Sequence, residues 1–175
     1  MAERPRRPAV FLDRDGVLNV DHGYVSSRAN FEWIPGAIEA VKTLNDAGYY
    51  VFVATNQSGI ARGLYTEQDM QALHDFMASE FKRKDAHIDD WRHCPFHSEG
   101  TIEKFKRVSD WRKPGPGMIL DLMKAWPVGR ENSVLIGDKE SDLQAARAAG
   151  IRPLKFDGGN LLNFVRAHVL GPTKI

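Results

Sequence analysis

Cysteine is nearly absent: Cys94 stands alone among 175 residues, so no internal disulfide can form and a reducing compartment fits the composition. No apolar run approaches the roughly 20 residues that cross a bilayer, which argues against a membrane-spanning protein. Charge of one sign is not in excess either. Lys and Arg number 24 against 23 Asp and Glu, a formal net charge of +1, so neither nucleic acid nor an anionic membrane is expected as a general partner. Any attraction for anions must be local. The amino terminus, MAERPRRP, is charged and proline-rich and leads into only four apolar residues, unlike a secretory signal, so a cytoplasmic protein is expected. Internal repeats, low-complexity tracts and linkers are missing, and 175 residues suit one domain, 1–175, with a sizeable core and a monomeric state.

What the chain does have is alternation. The run AVFL reads as a buried strand, and after Pro35-Gly36 the residues Ile38, Val41 and Leu44 recur at helical spacing up to Gly48. YYVFVAT is a second buried strand. Thr66, with Asp69 three residues on, caps a helix whose apolar stripe is Met70, Leu73, Met77 and Phe81. HIDDW suggests a short third strand, and 94–112 reads as one long loop, a length that points to function or disorder. Pro114-Gly115-Pro116 precedes a helix with Ile119, Leu122, Met123 and Trp126 on one face. SVLIGD, DLQAARAAG and RPLKF then give strand, helix and strand. This order predicts an α/β, Rossmann-like fold: a mostly parallel central sheet with helices on both faces.

In such a sheet, ligands bind beyond the carboxyl ends of the strands. The three clearest strands end at Asp13, Thr55 and Gly137-Asp138, and Lys113 stands just before a helix start, where free N–H groups favour an anion. Asp13 and Asp138 offer the hard oxygens that Mg²⁺ prefers. Neutralised in that way, Asp13 can approach a phosphate as a nucleophile, leaving Asp15 to manage protons, while Thr55 and Lys113 hold phosphoryl oxygens. Each of these residues has a bland reading. A lone Asp-x-Asp is most often a turn, Thr55 alone an end cap, and Lys113 a solvated charge. Their common position on one edge of the sheet favours function.

DRDGVLNVDHGYV, TNQSGIARG, RKPGPGM and GDKESDLQAA together resemble the haloacid dehalogenase (HAD) superfamily, in its branch of D-glycero-D-manno-heptose 1,7-bisphosphate phosphatases and the similar histidinol phosphatases. The likeness runs from about Pro8 to about Leu154. It implies that Asp13 is the nucleophile and Asp15 the acid/base, with Mg²⁺ held by Asp13, Asp138 and the backbone carbonyl of Asp15. Thr55 and Lys113 stabilise the phosphoryl group. Asp21, His22, Gly23, Tyr24, Asn56, Gln57, Ser58, Arg112 and Lys139 line the substrate site; ordinary loop packing is the other reading of His22 and Tyr24. The implied activity is hydrolysis of the 7-phosphate of the heptose bisphosphate, a small phosphorylated metabolite. Histidinol phosphate or another phosphomonoester is the alternative. A phospho-accepting regulator similar to receiver domains also uses Asp, Thr, Lys and Mg²⁺, but here the nucleophile lies on the first strand with a second Asp two residues on, which argues against it.

Many members of that branch carry a zinc-bound loop, Cys-x-His followed by Cys-x-Cys, ahead of the Arg-Lys pair. The equivalent positions here are Cys94, Phe96, Ser109 and Trp111, one ligand where a structural site needs four, so structural zinc is expected to be absent. Phe96, Phe105 and Trp111, with Trp91 a further candidate, are expected to form an apolar cluster in its place. No long insertion follows the first or second motif, so no large cap domain is expected, and selection falls to the loops at 19–34 and 94–112.

Overall fold

A computed structural model describes residues 3–171. Its core is a five-stranded, all-parallel sheet in the order β3-β2-β1-β4-β5, built from β1 (Ala9–Leu12), β2 (Tyr50–Asn56), β3 (Asp90–Cys94), β4 (Val134–Gly137) and β5 (Arg152–Lys155). The chain starts in the middle, runs out to β3 on one side, then returns to place β4 on the other flank of β1. The sheet therefore reverses direction of growth between β1 and β4, where strand ends leave an open crevice.

Side-chain alternation divides the core into two layers. Val10 and Leu12 face the layer filled by α1 (Ala37–Asp46), α2 (Glu67–Arg83) and α5 (Leu161–His168). Ala9 and Phe11 face α3 (Gly117–Ala125) and α4 (Glu140–Ala148), where Ile119, Leu122, Ala145 and Ala146 pack. Burial on both sides explains why β1 and β2 read as continuous apolar runs. The cap expected at Thr66 forms: its Oγ1 accepts from Asp69 N–H at 3.1 Å and Asp69 Oδ2 accepts from Thr66 N–H at 2.9 Å.

Two expectations shift. The third strand begins at Asp90 rather than His87, because the Asp89 carboxylate accepts from Val51 N–H (2.8 Å) and the ladder with β2 starts only beyond it. The 94–112 segment is not featureless; Cys94 ends β3, and a one-turn 3-10 helix spans Glu103–Phe105. The segments over the crevice, 19–34 and 95–112, hold nothing larger than such single turns. No helix among the described residues is long and apolar enough to cross a membrane.

Candidate active site

The chain turns sharply at the end of β1. Leu18 and Asn19 N–H both donate to Arg14 O, at 2.9 and 3.2 Å, and Gly16 N–H donates to Asn19 O at 2.7 Å. Gly16 has φ +90, and a Cβ there would lie 2.1 Å from Asp138 Oδ2, so glycine is what lets the end of β4 approach the turn.

Asp13, Asp138 and Asp142 each bring a carboxylate oxygen within 4.8 Å of the others, the one such grouping of potential metal ligands among the described residues. Lys113 reaches into it: Nζ lies 3.0 Å from Asp13 Oδ1 and 2.6 Å from Asp142 Oδ1, and donates to Ala54 O at 2.8 Å. Asn56 sets that lysine by a reciprocal pair, its Oδ1 accepting from Lys113 N–H (3.0 Å) and its Nδ2 donating to Lys113 O (3.1 Å). Asp142 has two tasks, since its other oxygen accepts from Lys139 N–H at 3.1 Å and closes the first turn of α4.

Burial, with Asp142 and Asp15 adding to it and Lys113 opposing, holds the Asp13 carboxyl well above the usual range. Burial and Asp142 push Asp138 up as well. Burial works against the Lys113 ammonium, but Asp13 and Asp142 outweigh it and leave its pKa raised. Three carboxylates and one ammonium leave a formal excess of two negative charges in a nearly dry cluster, and Asp138 Oδ1 is buried with no hydrogen-bond partner. That is an environment suited to a divalent cation.

Asp15 is held separately. Arg14, fully buried, donates from Nη2 to both its oxygens (2.9 and 3.2 Å) and from Nε to Oδ1 (3.3 Å). Asn19 Nδ2 and Gln57 Nε2 add bonds at 2.9 and 3.0 Å. Gln57 also donates to Thr55 Oγ1 at 2.9 Å and accepts from the Tyr65 hydroxyl, so it ties the end of β2 to Asp15. Behind Arg14, Nη1 meets Nε2 of buried His74 at 3.3 Å, and burial with the Arg14 charge pushes His74 down to about 3.

A cleft of about 520 Å³ opens above these groups, lined by Asp21, Gly23, Tyr24, Asn56, Gln57, Ser58, Arg112 and Lys139 from the expected set, with Asp15 and Lys113. Asp13, Thr55 and Asp138 are not among its lining residues; Asp13 connects to it through Lys113, and Thr55 through Gln57. His22 is not a lining residue: its Nε2 is taken up by Glu32 Oε2 at 2.8 Å on the exposed edge. Sequence reasoning missed Asp142, Arg14, Arg62, Tyr65 and Ser141. In the sequence all of them look like ordinary loop or surface residues, Asp142 as one of the carboxylates in the first turn of a helix.

The 94–112 loop is packed by aromatics. Phe96 and Trp111 sit against Cys94, Ala54 and Met118, and Phe96 approaches Phe105 with ring centroids 6.2 Å apart. Trp91 does not join them; it points to the opposite face of the sheet, stacked on His74 at 4.7 Å.

A buried aspartate paired with a buried lysine beside two further carboxylates, at the edge of a Rossmann-like sheet, is the arrangement expected of a hydrolase of the HAD class, and a family model described as HAD-hydrolase-like matches residues 110–160. The chain is 52% identical over 165 residues to the D-glycero-beta-D-manno-heptose-1,7-bisphosphate 7-phosphatase of Rhodopseudomonas palustris, covering 94% of this chain and 92% of that one. It is 45% identical over 144 residues to the enzyme of the same name in Escherichia coli K12, covering 82% and 75%. Among solved structures, the D,D-heptose 1,7-bisphosphate phosphatase of B. bronchiseptica, complexed with magnesium and phosphate, superposes with a TM-score of 0.78 at 33% identity, covering 89% of this chain and 84% of that one. The chain belongs to the D-glycero-beta-D-manno-heptose-1,7-bisphosphate 7-phosphatase family and is a phosphoric monoester hydrolase.

Proposed function

We propose that the protein removes the 7-phosphate of D-glycero-D-manno-heptose 1,7-bisphosphate through an aspartyl-phosphate on Asp13, with Mg²⁺ as cofactor. The observation that carries this reading is the convergence of Asp13, Asp138, Asp142 and Lys113 at the β1/β4 edge. Asp13, Asp138 and the backbone carbonyl of Asp15 would hold the cation, with Asp142 close by. Bound there, Mg²⁺ would supply positive charge between an anionic nucleophile and a phosphate dianion.

Asp13 attacks phosphorus through a carboxylate oxygen, and the bond to the sugar oxygen breaks. Asp15 gives that oxygen its proton. Once the sugar leaves, Asp15 takes a proton from water, the water oxygen bonds to phosphorus, and the acyl-phosphate bond breaks to restore Asp13 and release phosphate. Lys113 and Thr55 hold the phosphoryl oxygens during both steps, and Asp142 fixes Lys113 for that task. Asp21, Tyr24, Ser58 and Lys139 contact the sugar side of the cleft.

The protein works as one domain and a monomer in the cytoplasm, without structural zinc. Supporting the last point, burial pushes the Cys94 thiol up, away from the thiolate a metal needs, while His93 is bound to Glu67. Relative kcat/KM on the α and β heptose bisphosphates and histidinol phosphate tests the substrate. A heptose bisphosphate is expected to lead; histidinol phosphate leading would overturn the assignment.

A further inference from the structure

Asp15 must hold its carboxyl in one place, because the proton it gives has to reach the sugar oxygen as the bond to phosphorus breaks. One side of that carboxyl is set by Gln57, whose Nε2 donates to Asp15 Oδ2 at 3.0 Å and to Thr55 Oγ1 at 2.9 Å. A single amide thus touches both the proton donor and a hydroxyl that holds the phosphoryl group. An amide can turn over, however. Reversed, Gln57 would present its oxygen to Asp15, where it repels a carboxylate and captures the proton of a carboxylic acid.

Tyr65 opposes that reversal. Its hydroxyl donates to Gln57 Oε1 and has no other acceptor among the described residues, so a turned amide would leave the hydroxyl proton unpaired. Both side chains are buried. Burial, opposed by Arg14 and helped by Asp15, pushes the Tyr65 hydroxyl up to about 12, which keeps it a donor. The ring is fixed as well: it packs with Ile60, Met70 and Phe105, and a Cβ on Gly59 would meet its Cε1 at 2.2 Å. Gln57 is tied by its own backbone, its N–H donating to Cys94 O at 2.9 Å and its carbonyl accepting from Ile60 N–H at 3.2 Å. Neither partner is free to follow the other out of place.

We propose that Tyr65 is a positioning residue for the proton transfer: through Gln57 it keeps the Asp15 carboxyl aligned with the leaving oxygen. This rests on the reading of Asp15 as the acid. It assigns the Gln57 amide to the support of Asp15 and Thr55 rather than to the sugar, and gives Tyr65 a role to which the resemblance does not point.

The test isolates the first chemical step, as release of the leaving group in a single turnover with enzyme and Mg²⁺ in excess. Heptose bisphosphate, whose sugar oxygen needs a proton to leave, is compared with p-nitrophenyl phosphate, whose phenolate leaves without one. For Tyr65→Phe, which keeps the ring, release of the sugar should slow about ten-fold and release of p-nitrophenolate by less than about three-fold. Gln57→Met, which keeps the length of the side chain and loses the amide, should show the same bias. Equal losses on the two substrates, as loosened packing would give, or no loss, in either variant overturn the proposal. Any alkyl phosphate that the enzyme turns over can replace the heptose, so the outcome does not hang on the sugar. Asp15→Asn is the reference: a bias there without one in Tyr65→Phe removes Tyr65 alone, whereas no bias in Asp15→Asn removes the acid reading and the proposal with it.

Discussion

Replacing Gly16 with alanine should disable the enzyme while leaving it folded. The new methyl carbon would lie 2.1 Å from Asp138 Oδ2 and 2.5 Å from its Cγ, well inside the 3.0 Å that real Cβ contacts respect. Because Cγ is as obstructed as the oxygen, rotation of the carboxylate does not relieve the clash, and the whole group must retreat by about 1 Å. A misplacement of roughly 1 Å at a reacting centre costs on the order of 100-fold in rate. Holding alanine at φ +90 adds about 1–2 kcal/mol of backbone strain, a tolerable loss for a domain of this size. Phosphate release assayed across a Mg²⁺ titration should therefore show kcat down about 100-fold and a higher Mg²⁺ requirement, with the unfolding midpoint only modestly lowered. Full activity at unchanged Mg²⁺ would refute the claim that Asp138 must stand against this turn.

Two further outcomes follow from the packing. His74 is 4% exposed with its pKa lowered from 6.5 to about 3, so the unfolded chain takes a proton below pH 6.5 that the native protein refuses. Its contribution is intact above pH 6.5 and shrinks as pH falls toward 3; by pH 5 the loss is about 2 kcal/mol. His74→Gln, whose amide oxygen can still accept from Arg14, should lose about 2 kcal/mol less stability between pH 7 and 5 in urea titrations, and an identical slope would contradict the assignment. Trp111→Ala should cost about 2–3 kcal/mol and lower turnover, since Trp111 packs against Phe96 and Met118 close to Arg112 and Lys113. Unchanged stability and turnover, or one tightly held zinc per chain by elemental analysis, would remove the aromatic cluster as the loop's support.

The strands that carry the site were legible because β1, β2 and β4 are buried on both faces and leave unbroken apolar runs that end where the polar residues begin. The edge strand β3 was misplaced by three residues for the opposite reason. Its residues are half-buried and polar, satisfied by pairs such as Arg92 with Asp121 at 2.8 Å and His93 with Glu67 at 2.6 Å, and no periodicity survives. Asp142 reads as one more exposed helical carboxylate. It is buried because Gly137 leaves no Cβ, which would lie 2.2 Å from its own, and because Lys113 arrives from a distant loop. His22 was drawn into the site by its motif, whereas its local neighbour Glu32 holds it at the rim. Tyr65 shows the limit most clearly, since nothing in a sequence marks a hydroxyl as the one that will meet a buried amide.

Covalent capture tests the central claim most directly. Enzyme mixed with heptose bisphosphate and Mg²⁺, quenched within a turnover and reduced with borohydride, should yield homoserine at position 13 on peptide mapping, and none when Mg²⁺ is withheld. Reduction at any other carboxylate, or rapid phosphate release by the Asp13→Asn variant, would contradict nucleophilic attack by Asp13.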